Sequence, residues 1–108
     1  MDPETSDLVV LNELRKAGSD LLLPHQLQHY FYFASEPAAT RLGAVLRAKG
    51  FTVEVRLSAH DHKTWLALAT HRTVLTIEAI QDLRAGFEAL AAHLGGEYDG
   101  WEAAVTLD

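Results

Sequence analysis

HQLQHYFYF, residues 25–33, alternates with a period of two, and its reading decides the fold. Leu27, Phe31 and Phe33 fall on one side of an extended chain with His29 among them. Gln26, Gln28, Tyr30 and Tyr32 fall on the other. Pro24, which has no N–H to give a sheet, suits the start of such a strand. A strand with one apolar face needs a covering layer, so the flanking segments are read for helices.

Downstream, Pro37 sits in the first turn of a helix behind Ser35 or Glu36. Its expected core stripe is Ala38, Leu42, Val45 and Leu46, and Gly50 closes it. FTVEVRLS (51–58) then alternates, with Phe51, Val53, Val55 and Leu57 inward and Thr52, Glu54 and Arg56 outward. AHDHK (59–63) reads as a hairpin loop. TWLALATH (64–71) is apolar on both sides, as a central strand is. The longest helix starts at a Thr76 cap and carries Ile77, Ile80, Leu83, Phe87, Leu90 and Leu94 at three- and four-residue steps until Gly95. WEAAVTL (101–107) is expected to be a last strand.

Upstream, DLVVLNELRKA (7–17) predicts a short helix capped by Ser6 or Asp7, with Leu8, Leu11 and Leu14 recurring and Gly18 ending it. SDLLLP (19–24) reads as a connection whose leucines are buried, and residues 1–6 are expected to be flexible. The chain is thus expected to be one domain over residues 1–108, with a core from about 7 to 106. The order is that of an α+β, ferredoxin-like βαββαβ two-layer sandwich with an extra N-terminal helix. Both long helices lie on one sheet face, and the other face stays open unless something covers it.

Composition removes several function classes. Without cysteine there is no disulfide framework, thiolate metal site or thiol nucleophile. No apolar run has the length of a membrane span and the N-terminus is acidic, so a cytoplasmic location is expected. Nine basic residues against fifteen acidic ones give a net charge of −6, which disfavours direct contact with nucleic acid and allows a basic protein partner.

Chemistry-bearing motifs are absent: no Gly-x-Ser-x-Gly, no P-loop, no dinucleotide fingerprint. No catalytic residue and no cofactor are assigned. His60 and His62 flank Asp61 at a hairpin tip, a spacing that chelates metal weakly, but a solvated turn is the simpler reading and no metal site is assigned. His25 and His29, four apart, share a side of their strand, and His29 is read as a core histidine with a hydrogen-bond partner. The open face is the more informative surface. Tyr30 and Tyr32 project there, and Trp65 joins them if Leu66 and Leu68 turn toward the helices. Such an aromatic patch resembles an RNA-stacking platform but lacks the flanking basic residues, so a protein partner or a second copy of the chain is the better expectation.

GGEYDGWE, residues 95–102, is read as a shaped connection. Gly95 caps the helix, Gly96 loosens the exit, Tyr98 packs under the turn, Asp99 and Gly100 make the turn itself, and Trp101 anchors the last strand. Behind TIEAIQDLRAGFEALA, and in order with PHQLQHYFYF, AKGFTVEV and TWLALAT, this run resembles the C-terminal signature of the RraB family, the type B regulators of ribonuclease E activity. The resemblance spans about residues 7–106 and is most specific at residues 97–101. It implies a small cytoplasmic bacterial protein of ferredoxin-like form that binds ribonuclease E, inhibits it by protein contact and has no catalytic residues. The best-known relatives continue into a long acidic tail, whereas the sequence here ends at Asp108. Tyr30, Tyr32, Trp65, Tyr98, Asp99 and Glu102 are the expected partner contacts. A homodimerisation module with a different target is the alternative.

Overall fold

Why the alternating segments become one sheet is visible in their pairing. The computed structural model of the chain describes residues 3–103, with side chains from Asp7 onward. Its elements are α1 (Pro3–Lys16), β1 (Pro24–Phe33), α2 (Glu36–Arg47), β2 (Thr52–Leu57), β3 (Trp65–Val74), α3 (Ile77–His93) and β4 (Gly96–Ala103). The protein is thus α+β, with three helices and a four-stranded antiparallel open sheet in the order β2-β3-β1-β4. The two strands richest in apolar residues, β1 and β3, take the two central places.

The helix boundaries follow from caps. Ser35 and Thr76 are in extended conformation and accept hydrogen bonds from the N–H groups of Ala38 and Ala79, satisfying donors that a helix start leaves free. At the other end, Gly18, Gly50 and Gly95 take positive φ, where a side chain is strained.

The main core lies between the sheet and the α2–α3 pair, around Phe31, Phe33, Leu42, Leu46, Ala67, Ala69 and Phe87. A second cluster of Leu11, Leu14, Leu27, Leu75 and Ile80 seats α1.

Several expectations need correction. The helix α1 starts at Pro3, so Asp7 is inside it rather than at its cap, and its side chain is fully buried. The leucine run after it is only partly buried: Leu21 packs against the α1 cluster, but Leu22 is 86% exposed, in a local turn where its N–H bonds the Asp20 carboxylate. In α2 the buried stripe is Ala39, Leu42, Gly43 and Leu46, whereas Val45 is exposed. Gly43 lets α2 sit close to Val53 and Val55 of β2, and Ala38 packs at the margin of the core. The last strand begins at Gly96, and residues 104–107 of the expected strand lie outside the described residues.

The last of these changes the meaning of GGEYDGWE. It is the strand itself, not a connection. The chain leaves α3 at Gly95 and pairs at once with β1, Gly96 opposite Phe33. A Cβ at Gly96 would fall 2.4 Å from the Phe33 ring, so the glycine is required by close packing rather than by looseness. Between Tyr98 and Gly100 the register with β1 slips by one residue, leaving Asp99 extruded as a bulge.

Candidate functional site

The register of the sheet decides what the open face carries. Residues directly opposite in an antiparallel pair share a face. Tyr30 is opposite Leu68, and Tyr32 opposite Leu66. Glu54 and Arg56 of β2 stand across from Leu68 and Leu66. On the other side of β1, Glu102 faces Gln28 and Glu97 faces Tyr32. The open face therefore carries Tyr30, Tyr32 and Leu68 at its centre beside a buried Leu66, with Glu54, Glu97 and Glu102 as well as Arg56 and Arg72 around them.

Trp65 does not belong to it. It pairs with Phe33 and packs into the main core, so the condition that would have turned it outward fails: Leu66 and Leu68, not Trp65, take the open side. The reason is the two-residue period of β3, in which Ala67 and Ala69 are the residues small enough to lie under the helices, fixing Trp65 on the same side. Tyr98 likewise points into the sandwich, opposite Phe31.

Within the open face, the Tyr30 hydroxyl donates to Glu102 Oε1 across the strand pair. That bond, with smaller contributions from burial and the negative charge of Glu102, pushes the Tyr30 phenol up to about 12. Arg56 is paired with Glu54 at 3.0 Å, and both are exposed. A shallow depression of about 320 Å³ extends from Tyr32 to Glu97, Asp99 and the 58–64 turn. In that turn Asp61 accepts from the backbone of Lys63 and Thr64, which holds its carboxyl at about 2. Among the described residues no three of the His, Asp and Glu side chains converge into a metal-holding group. The surface available to a partner is thus aromatic and apolar at its centre and charged around it, with Glu97 and Glu102 on the β4 side, the Glu54–Arg56 pair on the β2 side and Arg72 at one end.

The buried face holds a polar network that sequence reading missed. Asp7 receives two hydrogen bonds from Arg84, at 2.7 and 3.0 Å, and a third from the Trp101 indole N–H at 2.9 Å. This trio ties α1, α3 and β4 together. The Arg84 guanidinium also lies over the Tyr98 ring, 5.4 Å from its centre. The Tyr98 hydroxyl is 2.9 Å from His29 Nδ1, and His29 Nε2 is 3.0 Å from His71 Nε2. His25, at the start of β1, is held by Ser19 Oγ and the Leu23 carbonyl. Burial, then the neighbouring His71 and Arg84, lower the His29 imidazole to about 3, so it is neutral at physiological pH. Burial also lowers His71, while it raises the Tyr98 phenol. A residue 77 positions away in sequence gives no local signal, which is why the Asp7–Arg84 pair was not foreseen.

A four-stranded antiparallel sheet with helices on one face and the other uncovered is a scaffold that by itself fixes no function. Residues 4–103 match the sequence profile of the RraB family, described as regulator of ribonuclease activity B, and the chain belongs to that family. No curated protein gives a match. No helix among the described residues is long and apolar enough to cross a membrane.

Proposed function

We propose that the protein is a non-enzymatic cytoplasmic regulator that docks on a ribonuclease E-type endonuclease through its open sheet face and changes how that nuclease cleaves RNA. The observation that carries this reading is the Tyr30–Tyr32–Leu68 patch with Glu54, Glu97 and Glu102 beside it. Family membership supplies the ribonuclease, and the patch supplies a place to bind it. The sheet order and the helix preceding it are read as a ferredoxin-like sandwich with an added helix, which leaves this face free of the protein's own elements.

The face suits a partner segment with an apolar or aromatic anchor between basic residues. The anchor would fill the tyrosine–leucine centre, and arginines would meet the carboxylates. RNA is a poor occupant, because Arg56 is already paired with Glu54, which leaves Arg72 as the one other arginine on the described face against Glu97 and Glu102.

The test is an RNA-cleavage assay with a purified ribonuclease E-type endonuclease and a single-stranded substrate. Added protein is expected to lower the cleavage rate, and Tyr30→Ala combined with Tyr32→Ala to abolish the effect while the far-ultraviolet circular dichroism stays unchanged. Full inhibition by the folded double variant would place the docking surface elsewhere.

A further inference from the structure

On the covered side of the sheet, an open groove of about 520 Å³ runs between α2 and α3. Val45, Leu83, Phe87 and Leu90 form its walls, and His71 and Thr73 of β3 its floor. It adjoins a polar corner of about 560 Å³ at the sheet edge, where β2 pairing ends at Thr52 and β3 runs on past it; Gln26, Thr52, Thr70 and Arg72 line it from the open-face side, Phe51 and His71 from the covered side. Lys49 and His71 line both spaces, and Arg72 lines the corner. No carboxylate lines that corner. In a chain with six more acids than bases, an acid-free recess beside two cations is a local reversal of sign. Asp82 does line the groove, but it is absent from the corner.

Two further features fit an occupied site. Gly86 stands in the middle of α3 with no positive φ, and a Cβ there would meet nothing within 4 Å. Packing does not require it, yet a mid-helix glycine costs about 1 kcal/mol against alanine. Its effect is to keep the groove wall open.

The second feature is the direction of the Tyr98–His29–His71 chain. Among the described residues the Tyr98 hydroxyl has one hydrogen-bond partner, His29 Nδ1, so its proton is satisfied by donating there. His29 then donates from Nε2 to His71 Nε2. His71 is left with its proton on Nδ1, the ring nitrogen that has no partner among the described residues and is not buried. With this direction His71, a lining residue of the groove and the corner, carries an N–H donor rather than a lone pair on its free ring nitrogen. That suits an anionic oxygen and does not suit a metal ion.

We propose that the groove and its corner bind a small amphiphilic carboxylate: an alkyl or aryl chain lies along Leu83, Phe87 and Leu90, and the carboxylate meets Lys49, Arg72 and the His71 N–H. The ligand's chain lies on the covered side of the sheet and the carboxylate at its edge, where Arg72, which pairs with Gln26, arrives from the open-face side.

Octanoate is the probe, titrated into the isotopically labelled full chain, with octanol and octyltrimethylammonium as chain-matched controls. Octanoate is expected to shift the amide signals of Lys49, His71, Gly86 and Phe87 saturably. Both controls should bind at least about tenfold more weakly, as expected where charge decides the head group. Lys49→Gln should weaken octanoate by about fivefold. Gly86→Leu should remove binding while Tm holds or rises, because a Cβ there meets nothing within 4 Å and leucine favours the helix over glycine. The ring nitrogen signals of His71 should show the Nδ1–H tautomer in the free protein. Octanol binding as tightly as octanoate, binding retained by folded Gly86→Leu, no saturable shift at millimolar octanoate, or an Nε2–H tautomer would each overturn the proposal.

Discussion

His29 sits under Phe87 and beside Phe51, with both ring nitrogens engaged, and its environment makes acid the protein's weakness. Its folded value of about 3 lies below the ordinary 6.5, so on acidification the unfolded chain takes up this proton first. The associated stability is complete above about pH 6.5 and declines as pH falls toward 3, by at most about 1.4 kcal/mol per unit. Urea unfolding at neutral pH and two units below 6.5 should differ by roughly 2–3 kcal/mol from this group. His29→Phe combined with Tyr98→Phe removes the titrating ring together with its hydroxyl partner, and should flatten the dependence by that amount. An unchanged slope would mean that His29 is solvated in the folded state. Gly96 is the other decisive single position. Gly96→Ala drives a methyl into the Phe33 ring and should destabilise by about 2 kcal/mol, whereas Gly86→Ala should stabilise slightly. The need for glycine at position 96 could not be read locally, because it arises from a residue 63 positions earlier.

At the scale of elements, α1 is held by one charge. Asp7 is fully buried and its carboxylate accepts from both Arg84 and Trp101, while the helix's apolar grip is confined to residues such as Leu11 and Leu14. Asp7→Ala leaves a guanidinium of low exposure without its partner and an indole N–H without an acceptor. It should cost about 3–5 kcal/mol in urea unfolding. Amide exchange should speed up in α1 well before it does in β1 or β3. Loss of less than about 1 kcal/mol would show that α1 is seated by its leucines alone. The order of elements was legible because the two-residue period of 25–33 and 51–57 and the helical period of 77–94 are strong signals that agree with their breakers. What failed was orientation. Trp65 was given a conditional place on the open face, since a strand apolar on both sides offers no sequence signal of which side faces the helices. Likewise, GGEYDGWE looked like a turn because three glycines commonly mark one, when one of them ends a helix, one admits a phenylalanine ring and one follows a bulge.

For the whole molecule, the sheet divides two environments of opposite character. One side is covered by helices over an aromatic core threaded by the Asp7–Arg84–Tyr98–His29–His71 network. The other presents Tyr30, Tyr32 and Leu68 amid charged side chains. Of the expected contact residues, Tyr30, Tyr32 and Glu102 meet on that open side and Asp99 borders it, while Trp65 and Tyr98 serve the interior. Regulation of a ribonuclease through this face requires attraction between its carboxylates and a basic surface, which salt screens over about a Debye length. The direct measurement is the Kd for a purified ribonuclease E-type endonuclease at about 50 mM and about 300 mM salt, with wild type and with Glu97→Gln, Asp99→Asn and Glu102→Gln combined. Wild-type affinity is expected to fall at least about tenfold across that range, and the triple variant to bind weakly and almost independently of salt. Equal affinity of the two proteins at low salt, or no salt dependence in the wild type, would contradict docking through the acidic open face.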